Sequence, residues 1–143
     1  KRQMDEKGIQ FSFSSEHTIP KIQADPKLLY MIIENLLSNA VKYTPKGGKV
    51  EFSLSEDARK EGILIRISDT GYGIPKHQQD KVFTKFFRAD NAREKDTTGT
   101  GLGLYILKLI LDRFGGSIWF ESEEDKGSTF YVVLPFLGMQ KKI

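Results

Sequence analysis

The chain has 143 residues, a formal net charge of +3, 38% hydrophobic and 29% charged residues, and no cysteine. This composition is ordinary for one soluble globular domain with a single core, and it excludes disulfides and thiolate metal sites. No apolar run approaches the roughly 20 residues that span a bilayer. The modest positive charge would suit a polyanionic ligand such as a nucleotide, although an ordinary solvated surface is the simpler explanation.

The N-terminal part of the chain is predicted to hold a helix end and a strand. Residues 1–8 are polar and are expected to be the end of an upstream helix or a linker. An isoleucine and two phenylalanines alternate with polar residues over 9–14, which is the period of a half-buried strand. Residues 19–24 are a candidate for a second, short strand. We expect the domain itself to occupy residues 9–136 and residues 137–143 to be a tail.

The first long helix has a clear start signal. Asp25 precedes Pro26, which places an acidic N-cap before a proline in the first turn. The helix is predicted to continue to about Tyr43, ahead of a proline and two glycines. Two strands are predicted after it, over 49–55 and 62–68, joined by a charged turn.

The second half of the chain is predicted to alternate helices with a loop and a hairpin. Pro75 opens a helix that should run to about Phe86. Residues 88–101 form a polar loop, and loops longer than about 12 residues are usually functional or disordered. A helix over 102–114 ends at two glycines, and the remaining strands, 117–122 and 128–134, are predicted to form a hairpin.

This order of elements predicts the fold class. Neighbouring strands are mostly joined as hairpins, so the sheet should be mixed and mostly antiparallel, with the three main helices on one face. The strands alternate in polarity, which fits one covered face and one wetter face. The chain is therefore predicted to be an α/β protein built as a two-layer sandwich.

The most informative segment runs from Asp69 to Pro75, with the sequence DTGYGIP. It follows a run of β-formers, so Asp69 should end a buried strand. Gly71 and Gly73 permit positive φ and the close approach of a flat ligand. A carboxylate in such a dry turn needs a hydrogen-bond donor. An adenine amino group is one candidate, and a purely structural turn is the alternative.

Three polar residues share one stripe of the first long helix. Asn35, Asn39 and Lys42 are spaced by four and three residues. Asparagine is a poor helix former, so two of them in register require a reason. An amide oxygen is a hard, neutral ligand for magnesium, and a lysine is a point charge for phosphate. An exposed polar face is the alternative explanation.

A glycine-rich run, GTGLGL from Gly99 to Leu104, leads into the helix predicted over 102–114. Glycines leave backbone N–H groups accessible, and a helix N-terminus carries partial positive charge, so the run is a candidate anion site. It is not a dinucleotide fingerprint, because a polar loop precedes it. Nor is it a Walker loop, because no Gly-Lys-Ser/Thr follows.

In their order and separation, these segments resemble the conserved boxes of bacterial sensor histidine kinases. Asn35 to Pro45 resembles the N box, Asp69 to Gly73 the G1 box, and Phe83 to Phe86 the F box. Gly99 to Leu104 resembles the G2 box, and Gly127 to Phe130 resembles the closing strand motif. The resemblance covers nearly the whole chain. It implies the Bergerat ATP-binding fold, in which ATP lies between the helices and under a mobile lid.

The resemblance implies a role for each matching residue. Asp69 would accept the adenine amino hydrogen, with Thr129 nearby through water, and Asn39 would bind magnesium. Asn35, Asn39 and Lys42 are the implied catalytic residues, and residues 88–101 are the implied lid. The other implied nucleotide contacts are Tyr43, Gly71, Gly73, Ile74, Arg88, Thr100, Gly101, Leu102, Gly103 and Leu104.

One position separates phosphoryl transfer from hydrolysis. In the related ATPases the residue four before the magnesium asparagine is a glutamate that activates water. Here it is Asn35, an amide that cannot act as a base at neutral pH. Glu34 is adjacent but lies about 100° round the helix. The implied function is transfer of the ATP γ-phosphoryl group to a histidine. A Bergerat-type ATPase and a nucleotide-sensing pseudokinase are the alternatives.

The acceptor histidine is expected outside this chain. Glu16 to Pro20 resembles the family's acceptor box only superficially, and neither His17 nor His77 has a partner at metal-ligand spacing. The resemblance therefore implies ATP and Mg²⁺ as cofactors. The implied partners are an upstream dimerisation and histidine phosphotransfer domain and a response regulator receiver domain, with no nucleic acid. It also implies a cytoplasmic domain, monomeric in isolation, of a protein anchored in the inner or plasma membrane.

Overall fold

The computed structural model of the chain describes residues 2–16, 25–59, 62–84 and 103–135. The expected strand at 19–24 and the expected tail lie outside these residues. In chain order the described elements are α1 (Arg2–Lys7), β1 (Gln10–Ser15), α2 (Pro26–Lys42), β2 (Lys49–Glu56), β3 (Gly62–Asp69), a 3-10 helix (Lys76–Lys81), α3 (Gly103–Phe114), β4 (Ser117–Glu123) and β5 (Gly127–Pro135).

The five strands form one mixed sheet in the order β1-β2-β3-β5-β4. β1 pairs with β2 in parallel, and the other three pairs are antiparallel. Asp69, at the end of β3, pairs with Val50 of β2 and with Ser128 of β5. The predicted mixed and mostly antiparallel sheet is confirmed. Its register also brings Asp69 next to the turn between β4 and β5.

Both long helices cover the same face of the sheet. Leu36 of α2 and Leu107 of α3 are buried in one cluster with Ile67 of β3 and Val132 of β5. α2 packs on β3, α3 packs on β4, and the two helices contact each other. Burying one such aliphatic side chain contributes about 1.5–3 kcal/mol. The result is the predicted two-layer α/β sandwich.

The longest helix, α2, begins where its start signal predicted. Asp25 is the N-cap, and its carboxylate accepts a hydrogen bond from the Lys27 N–H at 2.9 Å. A cap of this kind contributes about 1 kcal/mol. Tyr43 is the C-cap, and its carbonyl oxygen accepts from the Tyr72 N–H at 3.1 Å, so the end of α2 lies beside the segment after Asp69. Within the described ranges no helix is both long enough and apolar enough to cross a membrane.

The prediction of a half-buried strand at 9–14 is wrong for its two phenylalanines. Phe11 and Phe13 are 42% and 55% exposed, and only Ile9 is buried. The physical reason is position, because β1 is an edge strand while the long helices pack on β3 and β4. The Phe13 ring still contacts Phe52 of β2 edge-on, with 5.0 Å between the ring centres.

The helix predicted over 75–86 is also corrected. Of the residues described in this span, 75–84, only Lys76–Lys81 are helical, and they form a 3-10 helix rather than an α-helix. Pro75 precedes it without a side-chain cap, and none of its six residues is buried. Because a short helix in water depends on packing for its stability, this segment has little to extend it.

Candidate functional site

Asp69 presents its carboxylate on the helix-covered side of the sheet. Ile65 and Ile67 lie two and four residues before it, so their side chains share its face of the strand, and both are buried in the core. Its Oδ1 accepts hydrogen bonds from the backbone N–H groups of Gly71, at 2.9 Å, and Ser128, at 3.2 Å. Among the described residues Oδ2 has no hydrogen-bond partner. One carboxylate oxygen therefore holds the turn, and the other is left to accept from a ligand.

The environment of Asp69 disfavours its charge. Burial raises the pKa of its carboxyl to about 6 from the ordinary value of 3.8. The N–H groups of Gly71 and Ser128 oppose part of this rise, because they bind the ionised form better. The group is ionised at pH 7, but its second oxygen is poorly solvated. A ligand N–H donor would offset that desolvation.

Gly71 and Gly73 are required by the backbone that surrounds them, and the predicted positive φ occurs at Gly73 and not at Gly71. A Cβ at Gly71 would overlap the carbonyl oxygen of Tyr43, and a Cβ at Gly73 would overlap the carbonyl oxygen of Glu123. Gly73 also has a φ of +67°, which favours glycine. The chain passes here between the end of α2 and the β4–β5 hairpin with no room for a side chain.

Asn35 and the start of α3 meet on the helical layer. Nδ2 of Asn35 donates to the carbonyl oxygen of Met31 in the preceding turn, at 2.9 Å. Its Oδ1 approaches α3 so closely that a Cβ at Gly103 would lie 3.1 Å from it. Asn35 is thus adjacent to Gly103, a described residue of the predicted glycine-rich segment. They adjoin a helix N-terminus, whose free N–H groups favour anions.

The remaining predicted residues of α2 lie between these two regions. Asn39 and Lys42 are half-buried, and in the described part of the chain the Asn39 side chain has no hydrogen bond. Lys42 Nζ lies 5.6 Å from the centre of the Tyr43 ring. The Tyr43 carbonyl oxygen accepts from the Tyr72 N–H in the segment after Asp69. The C-terminal part of α2 therefore lies between Asn35 and the Asp69 turn.

Thr129 is predicted to lie near the Asp69 carboxylate through a water molecule, but its side chain does not face that carboxylate in the structure. Ser128, and not Thr129, is the residue of β5 that pairs with Asp69. Thr129 pairs with Ser68, and its Oγ1 lies 2.8 Å from the Ser68 Oγ on the opposite face of the sheet. The reason is the two-residue period of a strand, in which a shift of one residue changes the face. Ser128 was therefore missed by sequence reasoning.

A polar cluster around Ser122 was also missed. Ser122 Oγ accepts from the Ile74 N–H at 2.8 Å and lies 2.8 Å from the Ser128 Oγ. Gln79 Nε2 donates to the carbonyl oxygens of Ile74 and Ser122, both at 3.0 Å. We call Ser122, Ser128 and Gln79 the Ser122 cluster. It fixes the backbone of Ile74, and no local sequence signal distinguishes its members from ordinary polar surface residues.

Some predicted residues pack in the core or cannot be placed. Phe83 contacts Phe120 edge-on, with 5.8 Å between ring centres, and Leu104 packs against the core. The expected lid at 88–101, Phe86 and His17 lie outside the described residues. Four predicted nucleotide contacts also lie outside the described residues: Arg88, Thr100, Gly101 and Leu102.

Comparison with known proteins shows a family match and similar curated relatives. Residues 24–138 match the family described as "Histidine kinase-, DNA gyrase B-, and HSP90-like ATPase". The chain is 42% identical over 120 residues to the sensor histidine kinase WalK of Bacillus subtilis (strain 168), covering 84% of this chain and 20% of WalK. It therefore spans about a fifth of the length of this relative.

Among the similar solved structures are two that each cover 94% of the chain. Full-length ShkA in complex with AMPPNP has a TM-score of 0.80 at 29% identity, with 27% of that chain covered. The histidine kinase ThkA in complex with the response regulator protein TrrA has a TM-score of 0.73 at 25% identity, with 36% covered. The family match over 24–138 contains every residue of the candidate site described above.

Proposed function

The chain belongs to the family of histidine kinase-, DNA gyrase B- and HSP90-like ATPases, and we propose that it transfers the γ-phosphoryl group of ATP to a histidine on another domain. Asp69 carries the proposal. Its Oδ1 is held by the N–H groups of Gly71 and Ser128, which leaves Oδ2 for a ligand donor. An adenine amino group supplies that donor and offsets the desolvation of the carboxylate.

The two regions of the site suit opposite ends of ATP. The Asp69 turn forms the base end, where Oδ1 of Asp69 is held by the backbone and Oδ2 can accept from a base. Asn35, Lys42 and the N-terminus of α3 form the phosphate end, where a lysine and free N–H groups offset negative charge. Phosphoryl transfer depends mainly on positioning and charge stabilisation. These groups supply both.

A magnesium ion fits the phosphate end. The described ranges contain no group of three or more His, Cys, Asp or Glu side chains that could hold a metal. Mg²⁺ commonly uses few protein ligands beside substrate phosphates and water. The Asn39 amide, half-buried and without a hydrogen bond among the described residues, is the side chain that would hold it. The bound ion would neutralise charge on the phosphates.

Asn35 favours transfer over hydrolysis. Its amide cannot take a proton from water at neutral pH, and Nδ2 is already bonded to the Met31 carbonyl oxygen. Glu34 is the neighbouring acid, but it is exposed and on another side of α2. We therefore propose a kinase rather than an ATPase.

The partners form a further part of the proposal. The chain spans 20% of WalK, and we propose that its partner is a domain that dimerises and presents the acceptor histidine. The ThkA complex contains a response regulator, so we propose a receiver domain as the next acceptor. A domain that uses ATP works where ATP is available, so the proposal places it in the cytoplasm. We also propose that the full-length protein is anchored in the inner or plasma membrane.

Calorimetry and phosphotransfer test the proposal in two steps. The chain should bind ATP, and it should label the histidine-bearing segment of its own full-length protein when radiolabelled ATP and Mg²⁺ are added. Failure to bind ATP would refute the nucleotide site. Rapid phosphate release without labelling would establish an ATPase, and binding with neither activity would establish a nucleotide sensor.

The Asn39→Ala variant tests the metal assignment. We expect the variant to lose the Mg²⁺ dependence of ATP binding, because the proposed protein ligand of the ion is removed. Adenosine, which has no phosphates, should bind the variant and the unaltered chain equally. Titrations with ATP in the presence and absence of Mg²⁺ measure the difference. An unchanged Mg²⁺ effect would remove Asn39 from the site.

A further inference from the structure

Lys7, the last residue of α1, caps the C-terminal end of α2 with its side chain. Nζ donates to the carbonyl oxygens of Val41 at 3.0 Å, Lys42 at 2.9 Å and Thr44 at 3.2 Å. The last carbonyls of a helix have no partner within the helix and require one from outside. All three N–H donors of the Lys7 ammonium group are used in this way.

The one carbonyl of this stretch that Lys7 does not bind reaches the candidate nucleotide site. The carbonyl oxygen of Tyr43 accepts from the Tyr72 N–H at 3.1 Å. It also lies where a Cβ at Gly71 would be. Residues 41–44 therefore offer four successive carbonyls, of which three are held by Lys7 and one holds the turn after Asp69.

We propose that Lys7 is a positioning residue for the nucleotide site, coupling the orientation of α1 to the Asp69 turn through the end of α2. The inference rests on the ATP-binding function proposed above. Lys7 does not touch the candidate base or phosphate positions. It fixes the peptide groups from which the Lys42 and Tyr43 side chains extend and to which Tyr72 is bonded. A movement of α1 would release three carbonyls together and loosen the contact between Tyr43 and Tyr72.

Backbone contacts keep the joint between α1 and β1 in place independently of the Lys7 side chain. The Lys7 carbonyl oxygen accepts from the Gly47 N–H at 2.9 Å, and the Gln10 N–H donates to the Gly48 carbonyl oxygen at 2.9 Å. Thr44 is fully buried, and its Oγ1 donates to the Ala40 carbonyl oxygen. A change of the Lys7 side chain therefore removes its three hydrogen bonds to the end of α2 without removing the docking of the segment.

The test compares two lysines. Lys7→Met keeps the length of the side chain and removes its ammonium group, while Lys46→Met makes the same change at an exposed lysine in the adjoining turn. At a temperature where circular dichroism shows both variants folded, the ATP dissociation constant should rise about fivefold for Lys7→Met. It should be unchanged for Lys46→Met. Lys7→Arg, which keeps the charge and the donors, should recover most of the affinity.

Amide hydrogen exchange separates positioning from a general loss of stability. The Tyr72 amide should exchange faster in Lys7→Met than in the unaltered chain, because its acceptor, the Tyr43 carbonyl, is no longer fixed. Core amides such as that of Ile65 should keep their protection. If Lys7→Met does not fold, Lys7→Gln serves for the same comparison.

The outcomes distinguish this inference from the function on which it rests. An unaltered chain that does not bind ATP would refute the proposed function. An unaltered chain that binds ATP, with the same affinity and the same Tyr72 exchange in Lys7→Met, would refute the coupling alone. An equal loss of affinity in Lys46→Met would also refute it, because the effect would then be one of net charge.

Discussion

Burial of Asp69 lowers the stability of the fold at neutral pH, and the same carboxylate is the proposed acceptor for the base. Its pKa is raised by burial to about 6 from the ordinary 3.8. Between these values the folded protein binds a proton more readily than the unfolded chain, so the stability contributed by this group falls as the pH rises through that range. The ionised carboxylate therefore destabilises the nucleotide-free fold at pH 7. In the proposed site, a ligand donor at Oδ2 would offset this loss of stability and so favour binding of a base that carries an amino group.

The Asp69→Asn variant separates the two effects. Its amide oxygen can still accept from Gly71 and Ser128, but an NH₂ donor replaces Oδ2 and would face the amino group of adenine. We expect ATP affinity to fall at least about tenfold, since hydrogen bonds to charged groups contribute about 1.5–3 kcal/mol. Without nucleotide, urea unfolding at pH 7 should show equal or greater stability. An unchanged ATP affinity in the folded variant would refute the adenine assignment.

The same carboxylate predicts the pH dependence of base binding. As the pH falls through about 6, Asp69 takes up a proton and ceases to be a charged acceptor. Adenosine is the appropriate probe, because it has no phosphate that titrates in this range. Its affinity should decrease between pH 7 and pH 5 in the unaltered chain and stay constant in Asp69→Asn. A flat profile in both would show that Oδ2 is not the acceptor.

At the scale of elements, the Ser122 cluster joins three pieces of the fold. Gln79 of the 3-10 helix donates to the carbonyl of Ile74, which follows the glycine turn, and to that of Ser122 in β4. These bonds are partly buried. The base end of the site therefore depends on an element that contributes no buried side chain of its own.

The Gln79→Leu variant tests this dependence. Two partly buried carbonyls would lose their donor, and each unsatisfied group costs about 1–3 kcal/mol. We expect the free energy of unfolding to fall by about 2 kcal/mol, and the affinities for ATP and adenosine to fall by the same factor. Asp80→Asn, at an exposed neighbour in the same 3-10 helix, is the control. A loss for ATP alone would place the effect at the phosphate end.

The elements that were predictable are those whose signals are local. Asp25 and Pro26 set the start of α2 because capping depends on adjacent residues. The alternation in β1 correctly placed Phe11 and Phe13 on one face, but it could not show that this face lies outside the cover of α2 and α3. Whether a strand face is covered depends on its place in the sheet, which is a tertiary property.

The sequence predicted individual residues of the candidate site, but it did not predict which of them lie next to one another. Motif spacing singled out Asp69, Gly71 and Asn35 from residue type and neighbours, and their roles toward a nucleotide stay predictions. It did not show that the Thr129 side chain does not face the Asp69 carboxylate, because a strand changes face at every residue and only the pairing of Asp69 with Ser128 decides which face is used. The contact between Asn35 and Gly103 is also tertiary, and sequence separation alone does not reveal it.

At the scale of the whole molecule, the site draws on elements from most of the chain. The end of α2, the end of β3 and the β4–β5 turn meet at the proposed base end, and the middle of α2 and the start of α3 meet at the proposed phosphate end. His77 lies in the 3-10 helix that follows the base-end turn, so it adjoins the end of the site opposite the phosphates. Its position does not suit an acceptor for the γ-phosphoryl group.

We therefore expect the isolated chain to bind ATP without labelling itself. Incubation with radiolabelled ATP and Mg²⁺ should leave no acid-labile phosphate on the chain, which should sediment as a monomer. His77→Ala should change neither result, because the exposed imidazole takes no part in the proposed site. Adding the histidine-bearing segment of the full-length protein should produce labelling on that segment alone. Phosphate mapped by mass spectrometry to His77 would contradict the assignment of the two ends, because the γ-phosphoryl group would then lie beside the Asp69 turn.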